Sequence, residues 1–556
     1  MTMKLKKIYT ILFASLALTG CDFLDFDESS GMDKEEAYAY FDNVTRMVNG
    51  VYRAVPSDWG KISDALRESA TDNAVYTWTN NAVWYIYSNA WSPIKLVDDR
   101  WSEFYQVIHD ANSLMENFSE ENLKRYEWDK NYADNIKKVR AYMKEVEVLR
   151  AYYHFELAKR YGDVPLMTRT YALDEINQVE KSSFDDIIAF VNSEIERLLP
   201  DLVLNQNELF GETGHITKGI ALSIRSRALL YAASPLFAGD GNASAKWEAA
   251  AKAAHDVIAL KLYSMPKITE DPLYHKDGGN GVLNSKQLIW EVRGGESNTF
   301  EARNLPMGFE GAKGGNTPTQ NLVDEFDFLT GEPFDWNNPK HVEEMYYDEK
   351  GKPTRDPRLY LNVICDGMKY MGQVVEPLEG GKNGMPIEGA TTTGYYLKKL
   401  MNETVSLSPV TPVKKPHHYP VFRYAEILLN YAEALNEWQG PTYTDYYCKK
   451  SALEALNEVR VAAGMPAYTE TDKDKFRTLV KKERRIELAF EDHRFWDIRR
   501  WKEGNLVENI YGVKKQNGTY QKELVQNRVW ENKMYLYPIP QKESFVNDNL
   551  TQNPGW

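Results

Sequence analysis

Cysteine is almost absent: the 556 residues hold three, Cys21, Cys365 and Cys448. None lies in a CxxC or beside a plausible set of histidine ligands, which argues against zinc and thiol-redox chemistry and leaves Cys365 and Cys448 as isolated thiols. Histidine is also scarce, with nine residues. His417 and His418 are adjacent and do not have the i, i+4 spacing that puts metal ligands on one helix face. No HExxH, GxSxG or P-loop occurs. Gly308, Gly311, Gly314 and Gly315 follow no clear strand and open no helix, so they read as loop. A long basic run is missing too, and the net charge is −14, which argues against nucleic-acid binding. The only long apolar run, Ile8–Leu18, is too short to span a bilayer as a helix.

That run follows Lys4, Lys6 and Lys7 and leads to Leu18-Thr19-Gly20-Cys21. The order matches a secretory signal with a lipobox, and the resemblance implies a lipid on Cys21, with more than one acyl chain for stable anchoring. Asp22, Asp25, Asp27 and Glu28 follow, resembling an export signal to the cell surface, or serving as a solvated tether.

Most of the remaining chain has a helical period. Phe184, Ile187, Ile188, Val191, Ile195 and Leu198 form one apolar stripe, opened by a capping box at Ser183/Asp186 and closed by Pro200. A longer helix runs from about Ile136 to Tyr161 and stops at Gly162. Further stripes lie in 101–118, 215–235, 244–260, 422–438, 447–463 and 473–491. The expected class is mainly α, with tetratricopeptide-like helix pairs and an irregular, loop-rich insertion containing short strands. The expected division is a signal peptide over 1–20, a lipidated tether over 21–31 and a helical part over 32–262. An irregular ligand-binding insertion over 263–419, a second helical part over 420–505 and an irregular tail over 506–556 follow.

Two stretches hold candidate chemistry. The first is "ERRIELAFEDHRFWDIRRW", from Glu483 to Trp501. On a helix starting near Lys473, Phe476, Leu479, Val480 and Phe490 mark the buried stripe, and Glu483, Glu487 and Arg494 fall within it. Buried carboxylates need partners. Arg494 on the same face, or Arg460 and Arg423 from elsewhere, could supply them. The reading is an ion network that fixes helix register; the alternative is a glycosidase acid/base pair. The second is "AVYTWTNNAVWYIYSNAW". Tyr76, Trp78, Trp84, Tyr85, Tyr87 and Trp91 are interleaved with Thr, Asn and Ser. Rings beside amides and hydroxyls suit a sugar, whose C–H faces stack while its hydroxyls hydrogen-bond. Trp84, Tyr87 and Trp91 could equally share one helix face and form core.

With the lipobox, "WSEFYQVIHDAN", "LRAYYHFELAKRYGDVPL", "FRYAEILLNYAEALNE", "ALEALNEVRVAAGMP", the arginine-rich stretch and the closing "YPIP…QNPGW" are in place, the chain resembles the SusD/RagB family of nutrient-binding lipoproteins. The resemblance implies a non-enzymatic protein, held on the outer membrane by its lipid and facing the exterior. It also implies delivery of oligosaccharide, or of peptide in some members, to a SusC-like TonB-dependent transporter. A scaffold with no soluble ligand is a further alternative. No cofactor is implied, although scattered loop carboxylates leave a structural calcium open. No ligand residue carries over by motif. Placement and chemistry nominate Asp72, Trp78, Trp84, Tyr85, Tyr87, Trp91, Trp290, Arg303, Phe309 and Tyr370.

Overall fold

The computed structural model describes residues 37–57, 59–205, 213–239, 243–274 and 284–556. The signal peptide, the lipobox with Cys21 and the acidic tether lie outside the described residues.

Ten helices carry the framework: α1 (Phe41–Tyr52), α2 (Trp101–Asn117), α3 (Tyr132–Tyr161), α4 (Phe184–Leu198), α5 (Lys218–Ala233), α6 (Ala243–Ala259), α7 (Tyr424–Gln439), α8 (Ala452–Ala462), α9 (Lys473–Glu487) and α10 (Arg494–Arg500). Local chemistry sets several ends. The Ser183 hydroxyl accepts from the Asp186 amide at 3.1 Å and donates to its carboxylate at 2.6 Å, opening α4. Gly162, at φ 73°, ends α3. Each long helix packs on the next in chain order from α2 to α7, and α7 also packs on α8 and α9. One apolar core threads the whole array. This is the tetratricopeptide-like arrangement, in which no helix pair buries its face alone.

The array is interrupted between α6 and α7, which touch each other although residues 260–423 separate them. The intervening chain holds short elements: β2 (Leu288–Ser297) and β4 (Lys415–Arg423) pair antiparallel, while β3 (Asn316–Pro318) pairs with β1 (Ala74–Tyr76) from the N-terminal part. A second core joins this chain to the arginine-rich stretch through Leu322, Phe326, Leu359, Ile486 and Phe490. His417 and His418 lie on β4 with carboxylate partners, Glu301 at 3.0 Å and Glu291 at 2.8 Å. Cys365 and Cys448 are free and buried.

The structure corrects three expectations. The helix expected over 473–491 ends at Glu487, because Phe490 and Asp492 sit at φ 62° and 61°, left-handed positions no helix admits. The tail expected to be irregular over 506–556 contains a hairpin, β5 (Asn509–Gln516) and β6 (Thr519–Asn527). Its turn is Asn517-Gly518, at φ 52° and 83°, the sequence a tight two-residue turn demands. Finally, Trp84, Tyr87 and Trp91 share no helix face: that helix spans only Val83–Tyr87, and Asn89 at φ 56° turns the chain away.

Candidate functional site

The arginine-rich stretch is a buried ion network. Glu483 and Glu487 are 0% and 3% exposed. Both accept from Arg358 Nη1, at 2.6 and 2.9 Å, and Arg358 also holds Asp356 bidentately, at 3.0 and 2.7 Å. Arg460 adds a bond to Glu483 at 3.2 Å, and Arg423 one to Glu487 at 2.6 Å. Burial alone would raise the Glu487 carboxyl, but Arg423, Arg358 and Lys399 outweigh it and hold it at about 2. Both carboxylates are buried and taken up by arginines, out of reach of a substrate, which argues against this pair as glycosidase machinery. Arg494, expected to face Glu487, instead holds Asp72 bidentately at 2.9 Å through both oxygens.

Asp72 is therefore an anchor. It is 3% exposed, bridges Arg494 and Arg485, and is corrected from ligand contact to interior ion pair. Arg528 donates to the Thr71 and Ala74 carbonyls at 2.6 and 3.0 Å, and the Thr319 hydroxyl donates to the Asp72 carbonyl at 2.5 Å. Thr71–Ala74 is thus pinned from three sides, and β1 starts from a fixed point. β1 pairs with β3 in the register Ala74↔Pro318, Val75↔Thr317, Tyr76↔Asn316. The Thr77 amide donates to the Gly315 carbonyl at 2.9 Å.

Past the end of β1 opens a cleft of about 740 Å³. Tyr76, Trp78 and Tyr85 supply its rings. Ser63, Asp64, Thr79, Asn80, Asn81, Lys313 and Glu388 supply its polar groups, and Met307, Ala82 and Ala312 complete the wall. The Trp78 indole is held in place: Nε1 donates to the Lys313 carbonyl at 2.7 Å. Gly389, at φ 79°, lies so close that a Cβ there would sit 2.6 Å from Trp78 Cζ2. Lys95 Nζ stands 3.6 Å from the Tyr85 ring centroid, and Trp84 meets the same ring edge-on at 5.2 Å. Asn81 is committed to the local turn, accepting from the Val83 amide at 2.9 Å. Ser63, Thr79, Asn80 and the Tyr76 hydroxyl have no side-chain hydrogen bond to another described residue. Burial, then the nearby Asp64 carboxylate, pushes the Tyr76 phenol up to about 12, so it stays protonated and able both to donate and to accept.

Of the ten nominated residues, Trp78 and Tyr85 line this cleft. Trp84, 41% exposed, packs behind Tyr85. Arg303 sits at the rim, paired with Asp64 at 2.6 Å. The others are corrected to packing roles, because their side chains are taken up by the interior. Tyr87 is buried beneath the Arg528 guanidinium, and Trp91 lies edge-on to Tyr537 and Trp556 at 5.2 and 4.8 Å. Trp290 is 2% exposed, beside Tyr152 and Phe422, on a separate cavity of about 240 Å³. Phe309 and Tyr370 pack together in a small satellite core. The reading of the sequence missed Tyr76, Asp64, Met307, Lys313 and Glu388 as lining residues. Tyr76 stood inside the nominated aromatic run; the others sit in loops with no local pattern to find.

Among the described residues no helix is long and apolar enough to cross a membrane, and no group of three or more His, Cys, Asp or Glu is placed to hold a metal.

Comparison with known proteins gives one answer at the level of sequence and of fold. The model of the SusD family matches residues 287–556, and a model described as starch-binding and associating with the outer membrane matches residues 22–217. Two SusD-like proteins of Formosa agariphila are similar along the chain. One is 23% identical over 99% of this chain and 98% of its own length; the other is 25% identical over 72% and 71%. Among solved structures, a SusD-like protein from Bacteroides fragilis superposes with a TM-score of 0.75 at 24% identity, over 93% of this chain and 98% of that one. A SusD-like carbohydrate-binding protein from the same species gives 0.73 at 24% identity, over 93% and 100%. A laminarin-binding SusD-like protein gives 0.59 at 18% identity, over 94% and 100%. With two family models following one another in chain order and the fold shared over 93% of the chain, this chain belongs to the SusD family.

Proposed function

We propose that this protein captures an oligosaccharide in the cleft beyond β1 and passes it, unaltered, to a SusC-like TonB-dependent transporter. It does so while held on the outer face of the outer membrane by a lipid on Cys21. The observation that carries the reading is the pairing of rings with free polar groups. Tyr76, Trp78 and Tyr85 line the cleft, and Ser63, Thr79, Asn80 and the Tyr76 hydroxyl have no internal hydrogen bond among the described residues. Flat apolar faces beside uncommitted donors and acceptors are what a sugar ring needs. A pocket of this size lies within the range of small-ligand sites, roughly 300–1,000 Å³. The burial of Glu483 and Glu487 supports binding without turnover.

Titration calorimetry against glycan and peptide panels, with chromatography of the glycan afterwards, tests this. The expected outcome is saturable glycan binding with no shortened product. Saturable peptide binding with no glycan binding would move the assignment to peptide capture. Released sugar would make the protein an enzyme. Co-purification of the full-length, membrane-bound chain with a β-barrel transporter tests the partner, and metabolic labelling with a fatty-acid probe, lost in Cys21→Ser, tests the anchor.

Gly389→Ala provides a local check. The added methyl meets Trp78 in a left-handed backbone position, so the indole must move. Binding is expected to weaken roughly tenfold, in line with overpacking effects of about 1–3 kcal/mol, with an unchanged circular dichroism spectrum. Unaltered affinity would mean that the position of Trp78 does not matter.

A further inference from the structure

One buried arginine differs from the rest in what its guanidinium meets. Arg227, Arg358, Arg423 and Arg494 each hold one carboxylate with the same edge, Nε together with Nη2, at 2.6–3.0 Å. That edge is a fork matched to the two oxygens of a planar anion. Arg355 and Arg528 hold no carboxylate this way, but both nitrogens of the edge still donate to carbonyl oxygens, at 2.8–3.0 Å. Arg499 does neither. It is 3% exposed, its Nη1 donates to the Phe495 carbonyl at 3.0 Å, and its Nε and Nη2 have no acceptor among the described residues. Asp98, whose charge acts on it, is already held by Arg67 at 3.1 and 2.8 Å. Burial, the largest influence, pushes the Arg499 guanidinium down to about 9, so it still carries its charge at neutral pH. A desolvated charge without a counter-ion is costly, and an anion that joins it removes the cost. The neighbourhood is aromatic: Arg499 Cζ stands 3.4 Å from the Phe495 ring centroid and 5.1 Å from that of Trp530. Of these two rings only Trp530 reaches solvent. It rests on Gly504, where a Cβ would come 1.8 Å from its Cε2, and its Nε1 also has no acceptor among the described residues.

We infer that Arg499 is the seat of a small planar oxyanion, a monocarboxylate of formate or acetate size, bound through Nε and Nη2 and covered by Trp530. The site shares no lining residue with the cleft beyond β1, so it stands or falls independently of the glycan reading.

The test is thermal unfolding of the full-length chain in sodium formate and in sodium acetate, each against sodium chloride at the same ionic strength and pH, for wild type, Arg499→Met and Arg499→Lys. The expected result for wild type is a saturable rise in melting temperature of about 2 °C or more, as for any ligand that binds only the folded chain. Arg499→Met, without charge or fork, should show no such rise, and Arg499→Lys, with charge but no fork, a smaller one. In chloride, Arg499→Met should melt at or above the wild-type temperature, because it removes a buried charge that has no carboxylate partner. A rise of equal size in all three proteins, or none in wild type, would overturn the inference. Should Arg499→Met not fold, carbon-13 NMR of labelled acetate with the wild-type chain decides alone: saturable line broadening that excess unlabelled formate reverses supports the site, and its absence overturns it.

Discussion

Replacing Arg358 by methionine is expected to lower the unfolding free energy by about 3–5 kcal/mol, the range for removing one partner of a buried ion pair. Arg358 is 2% exposed and touches three carboxylates, Asp356, Glu483 and Glu487. Methionine preserves much of the apolar stem and removes the charge, which leaves Asp356 with no cation in place of its bidentate fork. Lysine should restore little, because one ammonium cannot reproduce a planar fork shared among three acids. Chemical denaturation followed by circular dichroism measures the loss; a change below about 1 kcal/mol would place the network outside the set of stabilising contacts. The acid limb gives a second reading. The folded Glu487 carboxyl is held at about 2, below its ordinary value of 4.5. Its contribution is therefore complete above about pH 4.5 and lost as pH falls towards 2. Removing Arg358 takes away one of the cations that hold it down, so the variant should lose less stability than wild type across that window.

The double variant Trp78→Ala, Tyr85→Ala is expected to abolish measurable ligand binding. Truncating a ring that anchors a ligand typically costs about 2 kcal/mol or more, roughly 30-fold, and two such losses approach three orders of magnitude where they add. Both side chains line the cleft and are only partly buried where they pack against the edge of the main core, so the fold should survive with a lowered melting temperature, as thermal unfolding would report. Trp84→Ala is the matched control. Trp84 is the exposed neighbour of Tyr85 and does not line the cleft, and its loss should change affinity by less than about threefold. Wild-type affinity in the double variant would place the ligand elsewhere on the molecule.

Local rules made the framework legible. A hydroxyl, an acid three residues on and an apolar stripe announced α4, and a glycine announced the end of α3. The break after Glu487 was not announced, because Phe490 and Asp492 adopt left-handed backbone for reasons that lie in their tertiary neighbours. The Phe490 amide, for one, donates to the Glu68 carboxylate at 3.1 Å. The hairpin turn at Asn517-Gly518 is legible in the sequence, whereas Pro538, Pro540 and Pro554 mark only the last part of the tail as irregular chain. The ion network was legible as a need: buried acids at helical spacing require cations, and Arg423 and Arg460 were among those foreseen. Which cation meets which acid was not, because Arg494 finds Asp72 422 residues away. The site divided in the same way. Aromatic residues interleaved with amides marked the region, but chemistry alone cannot separate Trp78, facing the cleft, from Trp91, packed against the C-terminal Trp556. The rest of the lining, with Met307, Lys313 and Glu388, comes from loops, one of them tied to the Trp78 indole through the Lys313 carbonyl.

The interruption between α6 and α7 also governs the order in which the molecule can be completed. β2 and β4, near the two ends of the intervening chain, zip together, and α6 rests on α7. A chain made from its N-terminus reaches α6 long before α7 exists, so the apolar face that α7 will cover stays open until residues beyond 423 arrive. Contacts across such a separation form slowly, since a long loop must close before they stabilise anything. Half-built arrays with an open face aggregate readily. The same neck separates concerns: the loops that carry Met307, Lys313 and Glu388 can change the cleft lining while the ladder, the helix contact and the anchors at Thr319 and Arg358 stay as they are.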